Sequence, residues 1–335
     1  MKNAMEMFSG TKRKALAFAL VVASQFAGLD VRSQEWPSRP VTLVVSQAAG
    51  NSPDLLCRIV AEKLSRSLKQ QFVVENRPGA ANLVGTQAVA RAAPDGYTFL
   101  FATSAALVTN PFTFKTLAYD PLKSFVPVAL VARSNHVLLV HPDVKAKSLS
   151  DLVALEKADP GKLSMAVDGP RNISGLIAQA INLQSGSKFV LVPYATISNA
   201  VQDSIAGRAQ VTIQSASVVE AFIRDGSLRP IAVAGSRRIA SLPDVAAVSE
   251  TLKGLDLQGW FMVMAPAGTP QAIIQKLSDE IILALKSPDV RERAPTLGFE
   301  IDVGEAATPA GAAKFLASEL DATGKVITAL GIEPQ

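Results

Sequence analysis

From residue 41 onward, short apolar runs alternate with stretches of helical periodicity, and the alternation occurs twice. Residues 41–46, 72–75 and 97–102 read as strands. Between the first two, Leu55, Leu56, Ile59, Val60, Leu64 and Leu68 recur at helical spacing. Residues 83–93 read as a helix closed by the turn Pro94-Asp95-Gly96. Residues 126–133 and 137–140 are apolar and extended, and Ser148 with Asp151 forms a capping-box-like helix start. The second half has strands at 163–167, 189–192, 211–213 and 228–234. Its helices lie near 174–184, 199–206 and 217–225, with Gly207 and Gly226 at two helix C-termini. Such alternation predicts an α/β chain of mostly parallel sheets with right-handed crossovers.

The two units, about 41–133 and 136–235, leave a last stretch of roughly 100 residues. It opens on a strand near 257–264. Thr269-Pro270 and Thr308-Pro309 then each supply an N-cap followed by proline for helices near 270–286 and 309–330. This stretch is helix-heavy and small for a third domain, so it is expected to return to the first.

Ahead of these units, Lys12-Arg13-Lys14 precedes a mostly apolar run from Ala15 to Leu29, and Val31-Arg32-Ser33 offers small residues for a cut. That pattern predicts an export leader over 1–33, since the run is shorter than the ~20 apolar residues of a spanning helix. Without a cysteine near the cut, lipid anchoring there is not expected. The formal charge of +4 comes mainly from this leader, which leaves the rest near +1. A nearly neutral chain has no broad surface for nucleic acid or anionic membrane. One cysteine, Cys57, and two histidines, His136 and His141, cannot build a cysteine-rich zinc site. Cys57 reads as a buried small hydrophobe and both histidines as structural. Trp260 and Phe261 read as core.

Ligands of open parallel sheets bind beyond the carboxyl ends of the strands. Five loops occupy such ends: 47–54, 103–106, 168–172, 193–198 and 214–217. They are rich in Gly, Ala, Ser, Thr and Asn, and so can offer backbone N–H and hydroxyl donors. In the first, Ser52 can cap a helix that Pro53 opens, with its free N–H groups turned toward an anion. Arg171 is the one strong cation among them. No G-x-S-x-G elbow, Walker loop or G-x-G-x-x-G is present, and Ser185-Gly186-Ser187-Lys188 is an isolated S-x-x-K match.

An ordered set of short motifs runs through the chain. It comprises Trp36-Pro37-Ser38-Arg39-Pro40, Glu75-Asn76-Arg77-Pro78-Gly79-Ala80, Ala93-Pro94-Asp95-Gly96-Tyr97-Thr98, Asn110-Pro111, Tyr119-Asp120-Pro121, Phe125-Val126-Pro127-Val128, Val192-Pro193-Tyr194, Leu242-Pro243-Asp244-Val245 and Ala265-Pro266-Ala267-Gly268-Thr269-Pro270. Over residues 36–332 it resembles the Bug-type extracytoplasmic receptors of tripartite tricarboxylate transporters. The resemblance implies a two-domain periplasmic-binding-protein type II fold, with a hinge and an interdomain ligand cleft. Its division would be 34–134 plus 238–335 for domain 1 and 135–237 for domain 2, with hinges near 133–135 and 234–237.

It further implies an exported, soluble, monomeric receptor without catalysis or cofactor. Such a receptor captures a small carboxylate and hands it to a membrane permease, or reports it to a membrane sensor. An exported α/β hydrolase is the remaining alternative. The expected ligand-binding residues are Gln47, Gly50, Asn51, Ser52, Asp54, Thr103, Ser104, Arg171, Asn172, Tyr194 and Gln214. Gly50, Asp54 and the Thr103-Ser104 loop match the family pattern. Asn51, Pro53, Gly169-Pro170-Arg171-Asn172, Ala195-Thr196 and Gln214 depart from it, so the domain 2 half of the cleft is the altered half.

Overall fold

The computed structural model describes residues 35–301 and 303–335, so the leader lies outside the described residues. From Arg39 onward the chain forms one unit built on two sheets. The first holds β1 (Val41–Val45), β2 (Phe72–Asn76), β3 (Thr98–Thr103), β4 (Phe125–Ser134), β10 (Gly259–Pro266) and β11 (Phe299–Ile301), in the order β11-β4-β10-β3-β1-β2. The second holds β5 (His136–Val140), β6 (Ser164–Val167), β7 (Val190–Pro193), β8 (Val211–Ser215) and β9 (Arg229–Ala234), in the order β7-β6-β8-β5-β9. We call the sheets with their packed helices lobe one and lobe two.

The expectation of mostly parallel sheets needs correction. β1 pairs parallel with β2 and β3, and β6 with β7 and β8. β10, however, runs antiparallel between β3 and β4, and β5 antiparallel between β8 and β9. The reason is the way the chain changes lobes. β4 runs through Asn135 straight into β5, so the strand that leaves one sheet enters the other reversed, and β10 comes back in the same sense. β11, which pairs with β4, is a three-residue strand not expected from the sequence.

Residues beyond β9 stay with lobe two. Ile239 and Leu242 join the cluster of Val137, Leu139 and Val233, while Val248 and Leu255 join that of Leu138, Ile177 and Ile231. The return crossing therefore lies at Gln258 and Gly259, beyond the expected 234–237. Gln258 Nε2 donates to Asn135 Oδ1 at 3.1 Å, tying the two crossings together.

Helices cover the sheets. Lobe one carries α1 (Ser52–Leu68), α2 (Leu83–Ala90), α3 (Asn110–Thr113), α9 (Gln271–Lys286), α10 (Pro288–Thr296) and α11 (Pro309–Ala329). Lobe two carries α4 (Leu149–Ala158), α5 (Ile173–Ser185), α6 (Ile197–Ile205), α7 (Ala216–Arg224) and α8 (Val248–Thr251). Ser148 accepts from Asp151 N, and Thr308 from Gly311 N, as the cap pattern suggested. Thr269 does not cap α9. Its hydroxyl donates to Pro266 O at 2.8 Å, and Pro270 occupies the cap position with extended ψ. Ser52 likewise opens α1 inside its first turn, after Asn51 at the cap position.

Between β3 and α3 the chain makes a π-turn, Ala105–Thr109. In an α-helix Asn110 N–H would reach Ala106 O. Here the buried Tyr119 hydroxyl donates to Ala106 O, and Asn110 N–H goes to Ala105 O instead. Burial pushes the Tyr119 phenol up to about 12, so it remains a donor. Tyr119→Phe removes that bond and lets the turn contract. The expected loss is about 1–2 kcal/mol in chemical denaturation, with a change in amide exchange confined to the turn and its neighbours.

Candidate ligand cleft between the lobes

Each sheet has a point where consecutive connections leave in opposite directions. β1 leads to β2 on one side, and β3 lies on its other side. β6 leads to β7 on one side and has β8 on the other. Crevices at such points are where α/β sheets bind ligands. The two points face one cavity of about 40 Å³, lined by Gln47, Ser52, Thr103 and Ser104 from lobe one and by Asp168, Asn172, Gln214 and Ser215 from lobe two. It shares Gln47, Asp168, Asn172 and Ile197 with a wider mouth of about 790 Å³, which also holds Asn51, Arg171 and Tyr194.

The lobe-one wall is a set of donors. The first N–H groups of a helix have no intrahelical acceptor and carry a partial positive charge. α1 starts at Ser52 and the π-turn after Ser104, and both starts lie on the inner cavity. Thr103 Oγ1 accepts from Ala106 N at 3.3 Å, which shapes that start. Beside the mouth, Ala80, Ala81 and Asn82 all have positive φ. This run of strained backbone is held by Asn110 Nδ2, which donates to Ala81 O at 2.8 Å.

Gly50 and Asp54 were expected at the ligand but line neither cavity. The Gly50 N–H donates to Asp54 Oδ2 at 2.8 Å, and Asn76 Nδ2 to Asp54 Oδ1 at 3.0 Å. Arg58 forms an ion pair with the same carboxylate at 2.9 Å. Burial pushes the Asp54 pKa up, but these bonds outweigh it and hold it below the usual range. Asp54 is therefore spent on bracing the β1 loop from behind, and Gly50 has no N–H left for a ligand. The Ser52 hydroxyl is engaged too: it meets Ser134, Ser215 and Ser217 hydroxyls at 3.0–3.2 Å.

On lobe two, Tyr194 lines the mouth, but its hydroxyl donates to Asp203 Oδ2 at 2.8 Å. Arg171 also lines the mouth, with its guanidinium 5.1 Å from the Phe114 ring centroid of lobe one. Asn172 Nδ2 donates to Asp168 O at 2.8 Å, and Gln214 Nε2 to Thr212 Oγ1 at 3.1 Å.

Two groups at the cavity were not among the expected contacts. His136 begins β5 on the cavity floor and is 8% exposed. Burial holds its pKa at about 4, against a bond to the Ser134 backbone, so the ring is neutral, and Nδ1 is buried without a partner. Asp168 lines both the cavity and the mouth. Burial raises its carboxyl to about 6 although the Ser174 hydroxyl donates to it. Asp168 was legible as the one acid at a lobe-two strand end. His136 carried no sequence signal, since a histidine opening an apolar strand reads as core. Neither histidine hydrogen-bonds a hydroxyl or thiol side chain among the described residues. Cys57 is fully buried, and burial pushes its thiol up.

The family model of the tripartite tricarboxylate transporter family receptor matches residues 56–332. The chain belongs to this receptor family. The receptor is 36% identical over 290 residues to a UPF0065 protein of Bordetella bronchiseptica, covering 86% of each chain. It is 32% identical over 321 residues to protein BugT of Bordetella pertussis, covering 95% of this chain and 98% of that one. Among solved structures, R. palustris Rpa4515 with adipate matches at a TM-score of 0.85 and 29% identity, over 90% of this chain and 100% of that chain. MatC (Rpa3494) from Rhodopseudomonas palustris with bound malate matches at 0.80 and 28%, over 87% and 100%. The two-lobed fold of the receptor is thus that of periplasmic solute-binding proteins.

Asp168 gives the unliganded receptor a pH signature. Its folded pKa near 6 exceeds the ordinary 3.8, so between pH 4 and 6 the native state binds more protons than the unfolded state. Stability from this group therefore falls as pH rises through that window. Asp168→Asn removes the fall. Its melting temperature relative to wild type is expected to be higher at pH 7 than at pH 4.

Proposed function

We propose that this receptor captures a small carboxylate between its lobes outside the cytoplasm and delivers it, without turnover, to the membrane component of a tripartite tricarboxylate transporter. The observation that carries the ligand class is the lobe-one wall, where two helix starts and the Thr103 and Ser104 loop line one cavity. A carboxylate is the anion that such a wall holds best among small metabolites without a phosphate. The relatives with adipate and malate bound support the same class. The basic and apolar residues of the leader support export. Among the described residues no helix is long and apolar enough to cross a membrane.

In this reading Gln47, Asn51, Ser52, Thr103 and Ser104 form the lobe-one grip, and Asn172 and Gln214 close on the ligand from lobe two. Arg171 and Tyr194 guard the mouth. Arg171 leaves the Phe114 ring for a carboxylate at the outer end of a longer ligand.

Thermal shift of refolded, ligand-free receptor against C4–C6 carboxylates tests the class. A ligand at 100 times its Kd adds about 2.7 kcal/mol, a rise of roughly 5–10 °C at about 2–4 °C per kcal/mol. No shift with any carboxylate would refute it. With a dicarboxylate that does bind, Arg171→Ala is expected to weaken binding at least tenfold, the worth of one charge-assisted hydrogen bond. Unchanged affinity removes Arg171 from the site.

A further inference from the structure

The strand that crosses between the lobes separates two cavities. Ser134 and His136 line the inner cavity of the cleft, while Asn135 between them lines a cavity of about 370 Å³ on the other side of the crossing. This rear cavity shares no lining residue with the cleft or its mouth. One wall comes from residues 237–240 behind β9, and the other from Arg291 of α10 and the turn into β11. At the base the lobes are pressed together. A Cβ on Gly298 would collide with that of Ala216 in α7, and Asn135 N donates to the Gly298 carbonyl at 3.4 Å.

The polar side chains of this cavity are mostly donors. Asn135 is only 2% exposed. Its Oδ1 accepts from Gln258, which leaves Nδ2 without a partner among the described residues. Three guanidiniums, those of Arg237, Arg238 and Arg291, stand against one lining carboxylate, that of Glu300. Glu300 pairs with Arg237, and Arg238 is held by both Glu250 oxygens at 2.9 Å. Arg291 has no ion pair among the described residues. The Arg237 pair is exposed and therefore weak, and a guanidinium has donors to spare for a second acceptor. Between these charges the lining is apolar, with Ile239 on one side and Phe299, Ile301 and Val303 on the other. An apolar hollow at a domain junction with a few convergent polar groups is the usual form of a small-molecule pocket, and its volume lies in the usual range.

We propose that the rear cavity is a second binding site, for a small organic anion with an apolar body. The acid group sits between Arg291 and Arg237, the body lies against Ile239 and Ile301, and Asn135 Nδ2 supplies a further donor. Arg291 is the residue that selects the anion, because its charge is the one left uncompensated. The site is independent of what the cleft binds.

Fluorescence titration with 8-anilinonaphthalene-1-sulfonate, an anion with an apolar body, tests it on the native receptor. Three variants accompany wild type. Arg291→Gln removes the uncompensated charge, Ala240→Glu puts bulk and a carboxylate into the rear wall, and Arg171→Ala alters only the mouth of the cleft. Arg291 and Ala240 are both exposed, so these variants are expected to melt with wild type and lost binding is not lost folding. Wild type is expected to bind the probe. Arg291→Gln and Ala240→Glu are each expected to weaken it at least tenfold, the worth of one charge-assisted bond, and Arg171→Ala to leave it within twofold. No binding to wild type overturns the proposal, as does binding that either rear variant leaves unchanged. Binding lost in Arg171→Ala places the probe in the cleft and overturns it too. None of these outcomes touches the carboxylate reading of the cleft, which the thermal-shift screen decides.

Discussion

Four serine hydroxyls meet where the lobes touch, and the cleft depends on them. Ser52 opens α1, Ser134 ends β4, Ser215 ends β8 and Ser217 lies in the first turn of α7. Their oxygens make five contacts of 2.8–3.2 Å. Each hydroxyl has one proton, so four protons serve five contacts, and the network always has one bond fewer than its geometry allows. Neutral hydrogen bonds are worth about 0.5–1.5 kcal/mol each once water is accounted for. The cluster can therefore hold the lobes together and still release them at modest cost. A charged pair in its place would bind the lobes without regard to ligand.

Around that cluster the site is built in two layers. The inner layer faces the cavity: helix starts, Thr103 and Ser104 on one side, and Asp168, Asn172 and Gln214 on the other. The outer layer holds the inner one in shape. Asp54 ties Gly50, Asn76 and Arg58 behind the β1 loop, Tyr119 sets the π-turn behind the β3 loop, and Ser174 braces Asp168. Gly175 belongs to this layer because a Cβ there would run into the Gly169 carbonyl. Only a residue without a side chain lets α5 approach the loop that carries Asp168.

Most of the elements were legible in the sequence because they are local. Helical spacing located α1 and α5, the alternation of strands placed β1 to β9 within a residue or two, and Ser148 and Thr308 capped their helices as their side chains allow. What escaped was long-range. Nothing local says that β5 and β10 enter their sheets reversed, that three residues at 299–301 pair with β4, or that Ile239, Val248 and Leu255 pack on lobe two. Thr269 looked like a cap because Pro270 follows it, but the Pro266 carbonyl competes for its hydroxyl. At the cleft, the five loops picked by the strand-end rule all line the inner cavity or its mouth. The rule could not tell which polar groups in them face the cavity and which support it, so Asp54 was taken as contact and Asp168 was not.

The position of β10 also dictates an order of assembly. It lies between β3 and β4 in the middle of the first sheet, yet about 125 residues separate it in the chain from the end of β4. Lobe two is contiguous from His136 to about residue 257 and can close on itself as soon as it exists. The earlier segment cannot, because until β10 arrives β3 and β4 are bare edges of a split sheet, and bare edges invite pairing with other chains. The first third of the polypeptide to be made is thus the last to reach its final form, and the part in greatest need of protection while it waits.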